Sequence, residues 1–248
     1  MLELADILRD SVLQTLEDRV SVAFSGGVDS SLIAKVAKEK AEVELFTAGT
    51  ENSEDVEYAE KVARELELPL FKCIMSEEEI IETYKNCYKA CPADFLKVEL
   101  LVPIYRIAKE ASERKHKVML FGSGSEELFV GYERYYKYPK EELDSYLKKE
   151  YKELQKREIH WISRICRLFD IEARFPFYNN KLAEHVFNIP IEIRMEDYEL
   201  KKGVLREAAS FLGVPQIAIK RKKRALQYGS GIHKILLKEK NLPGMALD

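Results

Sequence analysis

Four short apolar runs, at residues 20–24, 43–47, 70–74 and 118–121, alternate with amphipathic stretches at about 30–38, 54–66 and 97–114. This alternation constrains the fold more than any other feature of the chain. Runs of that length suit strands covered on both faces. The stretches between them are long enough for the crossover helices that parallel strands need. The pattern predicts an α/β fold, a doubly wound parallel sheet with helices on both faces. Before the first strand, Leu4, Leu8, Val12 and Leu16 repeat at helical spacing over residues 3–17. Beyond Gly131 the character changes. A tyrosine-rich segment, Tyr132 to Pro139, opens a long charged helical stretch to about Phe169, and further helices follow. We therefore expect a sheet-bearing core over residues 1–131 and a helical part over 132–248. At 248 residues the chain has room for both.

The first strand runs directly into Ser25-Gly26-Gly27-Val28-Asp29-Ser30. In a doubly wound sheet this turn lies at the carboxyl edge, where ligands bind. Glycines at 26 and 27 let the backbone approach a ligand and turn its N–H groups inward, and the following helix adds its amino terminus. Such a cradle suits phosphate. Ser25 and Ser30 add hydroxyls, whereas Asp29 would repel a bare phosphate and makes sense where a magnesium ion bridges it to a polyphosphate. A Walker A loop would end in Gly-Lys-Ser/Thr, and a dinucleotide fingerprint would carry a third glycine at the helix start; both are absent.

The loop resembles the Ser-Gly-Gly-x-Asp-Ser pyrophosphate-binding loop (PP-loop) of the N-type ATP pyrophosphatase superfamily. The segment Leu120-Phe121-Gly122-Ser123-Gly124-Ser125-Glu126-Glu127-Leu128-Phe129-Val130-Gly131-Tyr132 resembles the second signature of its asparagine synthetase and β-lactam synthetase group. Further likeness lies in Ile171 to Asn179, in Lys201-Lys202-Gly203-Val204-Leu205-Arg206, and from Arg221-Lys222-Lys223 through Gln227-Tyr228-Gly229-Ser230-Gly231. The resemblance implies an ATP-dependent ligase that adenylates a carboxylate, releases pyrophosphate and forms an amide. ATP and Mg2+ would be its cofactors. Asp29 and Glu126 would hold the magnesium, with Glu126 standing where the family has aspartate. Lys202 would meet charge on the transferring phosphate, with Lys201 as its competitor. Ser25, Gly26, Gly27, Val28, Asp29 and Ser30 would hold the phosphates. Adenine would lie against the strand ends at Ala23, Phe24, Thr47, Ala48 and Phe121, with Gly122 and Ser123 beside it. The basic run from Lys220 to Arg224, including Lys223, reads as a loop ordering over ATP, as an RNA patch or as a plain solvated run, and its glycine-rich continuation favours ATP.

Two departures from the family bear on nitrogen. The chain begins at the helix before the loop strand, so the family's amino-terminal glutaminase domain is expected to be missing, which leaves ammonia, an amine or a separate glutaminase subunit as the nitrogen source. Ser123 occupies the place of a family glutamate that handles the amine, and a hydroxyl is a far poorer base. Aspartate and ammonia are the first substrates to consider.

Charge narrows the alternatives. The net charge of -3 gives no general polyanion-binding surface, which argues against an RNA-modifying ligase of the same superfamily. A nucleotide-binding subunit without ligase chemistry is the other rival. No apolar run is long enough to span a bilayer and no signal core opens the chain, so a cytoplasmic protein without membrane partners is expected, and a homo-oligomer stays open. Cys87 and Cys91 have helical spacing but no second pair to complete a metal site, and read as packed thiols.

Overall fold

A computed structural model describes residues 2–222, 229–239 and 241–245. Its sheet has five parallel strands in the order β3-β2-β1-β4-β5: β1 Arg19–Ala23, β2 Glu42–Gly49, β3 Leu70–Ile74, β4 Val118–Leu120 and β5 Glu172–Arg174. The chain first winds outward from β1 through β2 to β3, then crosses back to place β4 on the other side of β1. Strand order therefore reverses between β1 and β4, which is where a doubly wound sheet opens a crevice at its carboxyl edge.

Alternation along the strands explains the two covered faces. Val20, Val22, Val43, Leu45, Val118 and Leu120 point into one core with α1 (Leu2–Leu13), α2 (Val28–Ala37) and α3 (Glu54–Leu66). Phe46, Ala48, Cys73, Met119 and Phe121 point the other way, onto residues of α6 (Leu101–Glu113) and α9 (Glu158–Arg167). The β3-to-β4 crossover also contains α4 (Glu77–Ala90), opened by a Ser76–Glu79 capping box, and α5 (Phe95–Glu99). Cys87 and Cys91 are buried free thiols in a third apolar cluster with α4, as the sequence reading expects. Burial pushes the Cys87 thiol well up.

The second half is helical, with α7 (Ser125–Leu128), α8 (Lys140–Glu153), α10 (Asn180–Phe187), α11 (Ile191–Arg194), α12 (Gly203–Phe211) and α13 (Gln216–Ile219). Within this half two details differ from the sequence reading. The long charged stretch is not one helix: a 3-10 turn at Leu154–Lys156 and Arg157, at φ -117 and ψ -101, separate α8 from α9. Residues 172–174 form a strand beside β4 within the half expected to be helical. Three residues alternate too briefly to show a period, so their pairing depends on the waiting edge of β4.

Candidate active site

Of the two glycines in the loop after β1, Gly26 takes the left-handed conformation and Gly27, at φ -75, does not. Gly26 takes φ +71, and a Cβ there would lie 3.1 Å from the Ala59 backbone of α3. Gly27 caps α2 without a side-chain hydrogen bond, leaving helix-end N–H groups for another acceptor. The serines brace the turn: Ser30 Oγ receives the Ser25 N–H at 3.3 Å and donates to the Gly27 carbonyl at 3.3 Å. Arg221 donates to the Ser25 carbonyl and to Asp55, with its guanidinium 4.1 Å over the Tyr58 ring.

At the switch point three segments meet. Lys202, 2 % exposed, places Nζ 2.7 Å from Asp29 Oδ2, 2.7 Å from Glu126 Oε1 and 3.0 Å from Ser125 Oγ. Burial alone would lower the pKa of this amine, but the charges of Asp29 and Glu126 outweigh it and hold the pKa above the ordinary lysine value. The space is reserved by Gly131, where a Cβ would overlap the Glu126 carboxylate and Lys202 Cε. Gly122 likewise lets β4 end close to Asp29, since a Cβ there would come within 3.2 Å of Asp29 Cβ.

The donor set fits magnesium. Asp29 Oδ1 is buried and has no hydrogen-bond partner among the described residues, and Asp29 faces the same cation as Glu126. Magnesium keeps several waters and takes one or two carboxylates together with substrate phosphates, so two carboxylates beside an anion cradle suffice. Among the described residues no cluster of three or more His, Cys, Asp or Glu could hold a metal by itself.

A second carboxylate group lies beside the first. Ser123 Oγ donates to Glu158 Oε1 at 2.5 Å, across from the first turn of α9. Glu127 is buried next to it; burial first, and then the charge of Glu158, push its pKa up to about 7. Tyr135 donates to Glu127 Oε1 at 3.5 Å. Sequence reasoning missed Glu158, and nothing local marks it, because the break before α9 decides where its side chain lands. Arg206 and Ser125 lie within the quoted segments, but only their partners distinguish them from neighbouring residues.

The remaining expected site residues are placed as follows. Ala23 ends β1, Thr47 and Ala48 lie within β2, and Phe24 and Phe121 follow β1 and β4. The N–H groups of Phe24 and Phe121 already donate to Phe46 O at 2.8 Å and Arg174 O at 2.9 Å, so neither is left to donate to an adenine edge. Lys201, the competing lysine, turns away from the carboxylate pair to Glu133 at 2.7 Å. Lys223 lies outside the described residues.

A parallel doubly wound sheet whose switch point carries this phosphate-type loop, opposed by a buried lysine and two carboxylates, defines an α/β protein of the PP-loop class. The asparagine synthase family model matches residues 3–161 and 139–242, and the chain belongs to that family. It is 36% identical over 274 aligned positions to a Methanocaldococcus jannaschii protein assigned as a glutamine-hydrolysing asparagine synthetase, covering 93% of this chain and 50% of that protein. With the asparagine synthetase of Gallus gallus it shares 29% identity over 200 positions, 77% of this chain and 36% of the enzyme. The chain thus spans half or less of the length of these relatives. The NH3-dependent NAD synthetase of Campylobacter jejuni superposes over 97% of this chain and 84% of its own, with a TM-score of 0.47 and 15% identity. Family membership makes this an asparagine synthetase-type domain. Among the described residues no helix is long and apolar enough to cross a membrane.

Proposed function

We propose that this domain joins a carboxylate to a nitrogen nucleophile in two steps at one site. The carboxylate oxygen attacks the α-phosphorus of ATP and pyrophosphate leaves; the nitrogen then attacks the acyl carbon and expels AMP. The observation that carries this reading is the contact of Lys202 Nζ with both Asp29 and Glu126, 2.7 Å each, at the switch point of the sheet. A fixed, buried ammonium acts on charge developing on the phosphates without having to reorganise as the reaction proceeds. The loop from Ser25 to Ser30 would hold the departing pyrophosphate through its N–H groups and hydroxyls. Asp29 and Glu126 would hold magnesium, which when bound supplies neutralisation of phosphate charge. As ATP enters, Lys202 Nζ would exchange a carboxylate contact for a phosphate oxygen.

Aspartate and ammonia are the first substrates proposed, with a separate glutaminase as an alternative nitrogen source. The Glu158 carboxylate, 2.5 Å from Ser123 Oγ, would answer the departure at Ser123: it could bind ammonium and take the proton that nitrogen must lose before attack. The test is a screen of amino acids and other carboxylates, with ATP, magnesium and ammonia, for matched release of AMP and pyrophosphate. Turnover with one acid supports the ligase. ATP binding with no turnover across the screen favours a nucleotide-binding subunit, and turnover only on added tRNA favours an RNA-modifying ligase.

A further inference from the structure

Lys202 reaches the carboxylate pair from a turn that an ordinary chain would not hold. Lys201 and Lys202 both have positive φ, 59° and 57°, in a conformation that residues with a Cβ avoid, and two in succession are doubly disfavoured. Asp197 holds the entry to the turn, accepting the Leu200 N–H on Oδ1 at 2.8 Å and the Lys201 N–H on its carbonyl at 3.0 Å. Arg206, on the first turn of α12, holds the exit. Its guanidinium is buried, donating from Nε to the Lys201 carbonyl at 2.7 Å and from Nη2 to the Leu200 carbonyl at 2.7 Å. It also donates to the carbonyls of Ile219 and of Arg221, the latter at 3.1 Å. Among the described residues every hydrogen bond of this buried cation goes to a backbone carbonyl. A planar fork of five N–H groups is the side chain suited to such a task, and a lysine ammonium cannot reproduce it.

We infer that Arg206 is the positioning residue of this site. It locks the left-handed turn so that Lys202 Nζ arrives between Asp29 and Glu126. It also ties that turn to the segment whose Arg221 grips the Ser25 carbonyl. The phosphate loop and the buried lysine, far apart in sequence, are thereby held in one register. The catalytic importance of Lys202 rests on the function proposed above; the geometry of the turn does not.

The test compares Arg206→Lys with the parent on two readouts. The first needs no substrate: acylation of Lys202 by an amine-reactive ester, followed by peptide mass spectrometry and normalised to exposed Lys181. Release of the turn should raise Lys202 labelling by about tenfold or more, because a buried amine reacts only through local opening. The second is pyrophosphate release with the acid that the parent turns over. Here kcat should fall by about tenfold or more while KM for ATP moves less than about threefold, as expected when a reacting group is misplaced rather than a binding contact removed. Parental labelling, or an undiminished kcat, overturns the assignment. If circular dichroism shows Arg206→Lys unfolded, Arg206→Gln, which keeps two planar N–H donors, is scored in the same way. If the parent releases pyrophosphate with no acid, the proposed function fails while the labelling comparison still decides on Arg206.

Discussion

Asp29 is a carboxylate inside a loop otherwise built to attract anions, and the tertiary fold resolves that contradiction by giving it a cation. One of its oxygens faces Lys202 and the other is buried with no hydrogen-bond partner among the described residues. Asp29→Asn keeps the shape and removes the charge. Pyrophosphate release should fall by about a hundredfold or more, and the magnesium-dependent part of the thermal stabilisation by ATP should vanish. A parental thermal shift with magnesium and ATP would refute the metal role. Glu158 makes a separate prediction about nitrogen. With total ammonia below saturation, a site that uses only free NH3 gains about tenfold in rate per pH unit below the ammonium pKa. If Glu158 takes the proton, the parent should rise more gently than this, and Glu158→Gln should recover the steep slope with a lower kcat. Equal slopes in parent and variant would remove Glu158 from the reaction.

Among the elements, the turn from β4 into α7 does most to assemble the site. Gly124 at φ +100 starts the short helix and Val130 at φ +53 ends the segment, so Glu126 and Glu127 are delivered to different surroundings within one helical turn. Glu126 faces Lys202, while Glu127 is buried near Glu158 and its pKa is pushed up to about 7. A carboxyl group whose folded pKa lies above its unfolded one binds its proton more tightly when folded. Its contribution to stability is complete below about 4.5 and is lost as pH rises towards 7. Denaturant unfolding of the parent and of Glu127→Gln should therefore differ by a slope of up to about 1.4 kcal/mol per pH unit across that window, the parent losing more as pH rises. A constant difference across the window would contradict the buried, protonated state. The break between α8 and α9 is the other decisive element, since it aims Glu158 at Ser123.

At the scale of the molecule, the two halves share one core. Leu182, Ala183, Val186, Val204, Leu205, Ala208 and Ala209 pack into the same cluster as the strands and helices of residues 1–131, and β5 closes one edge of the sheet. A fragment ending at residue 131 would expose that apolar surface and the edge of β4. It should show no cooperative thermal transition, whereas the full chain should unfold cooperatively; a cooperative fragment would mean that the first half is an independent unit. The sequence by itself determined β1 to β4, their parallel pairing under helices on both faces and the glycine turn after β1, because apolar period, crossover length and glycine placement are local properties. It also pointed to Asp29, Glu126 and Lys202, through motifs that lie on three distant segments. Only the tertiary structure decided that β5 joins the sheet, that Glu158 meets Ser123, and that Arg206 and Arg221 hold the turn and the loop together. These depend on which backbone carbonyl or strand edge lies opposite a side chain, and that is set by packing between segments remote in sequence, not by any pattern along the chain.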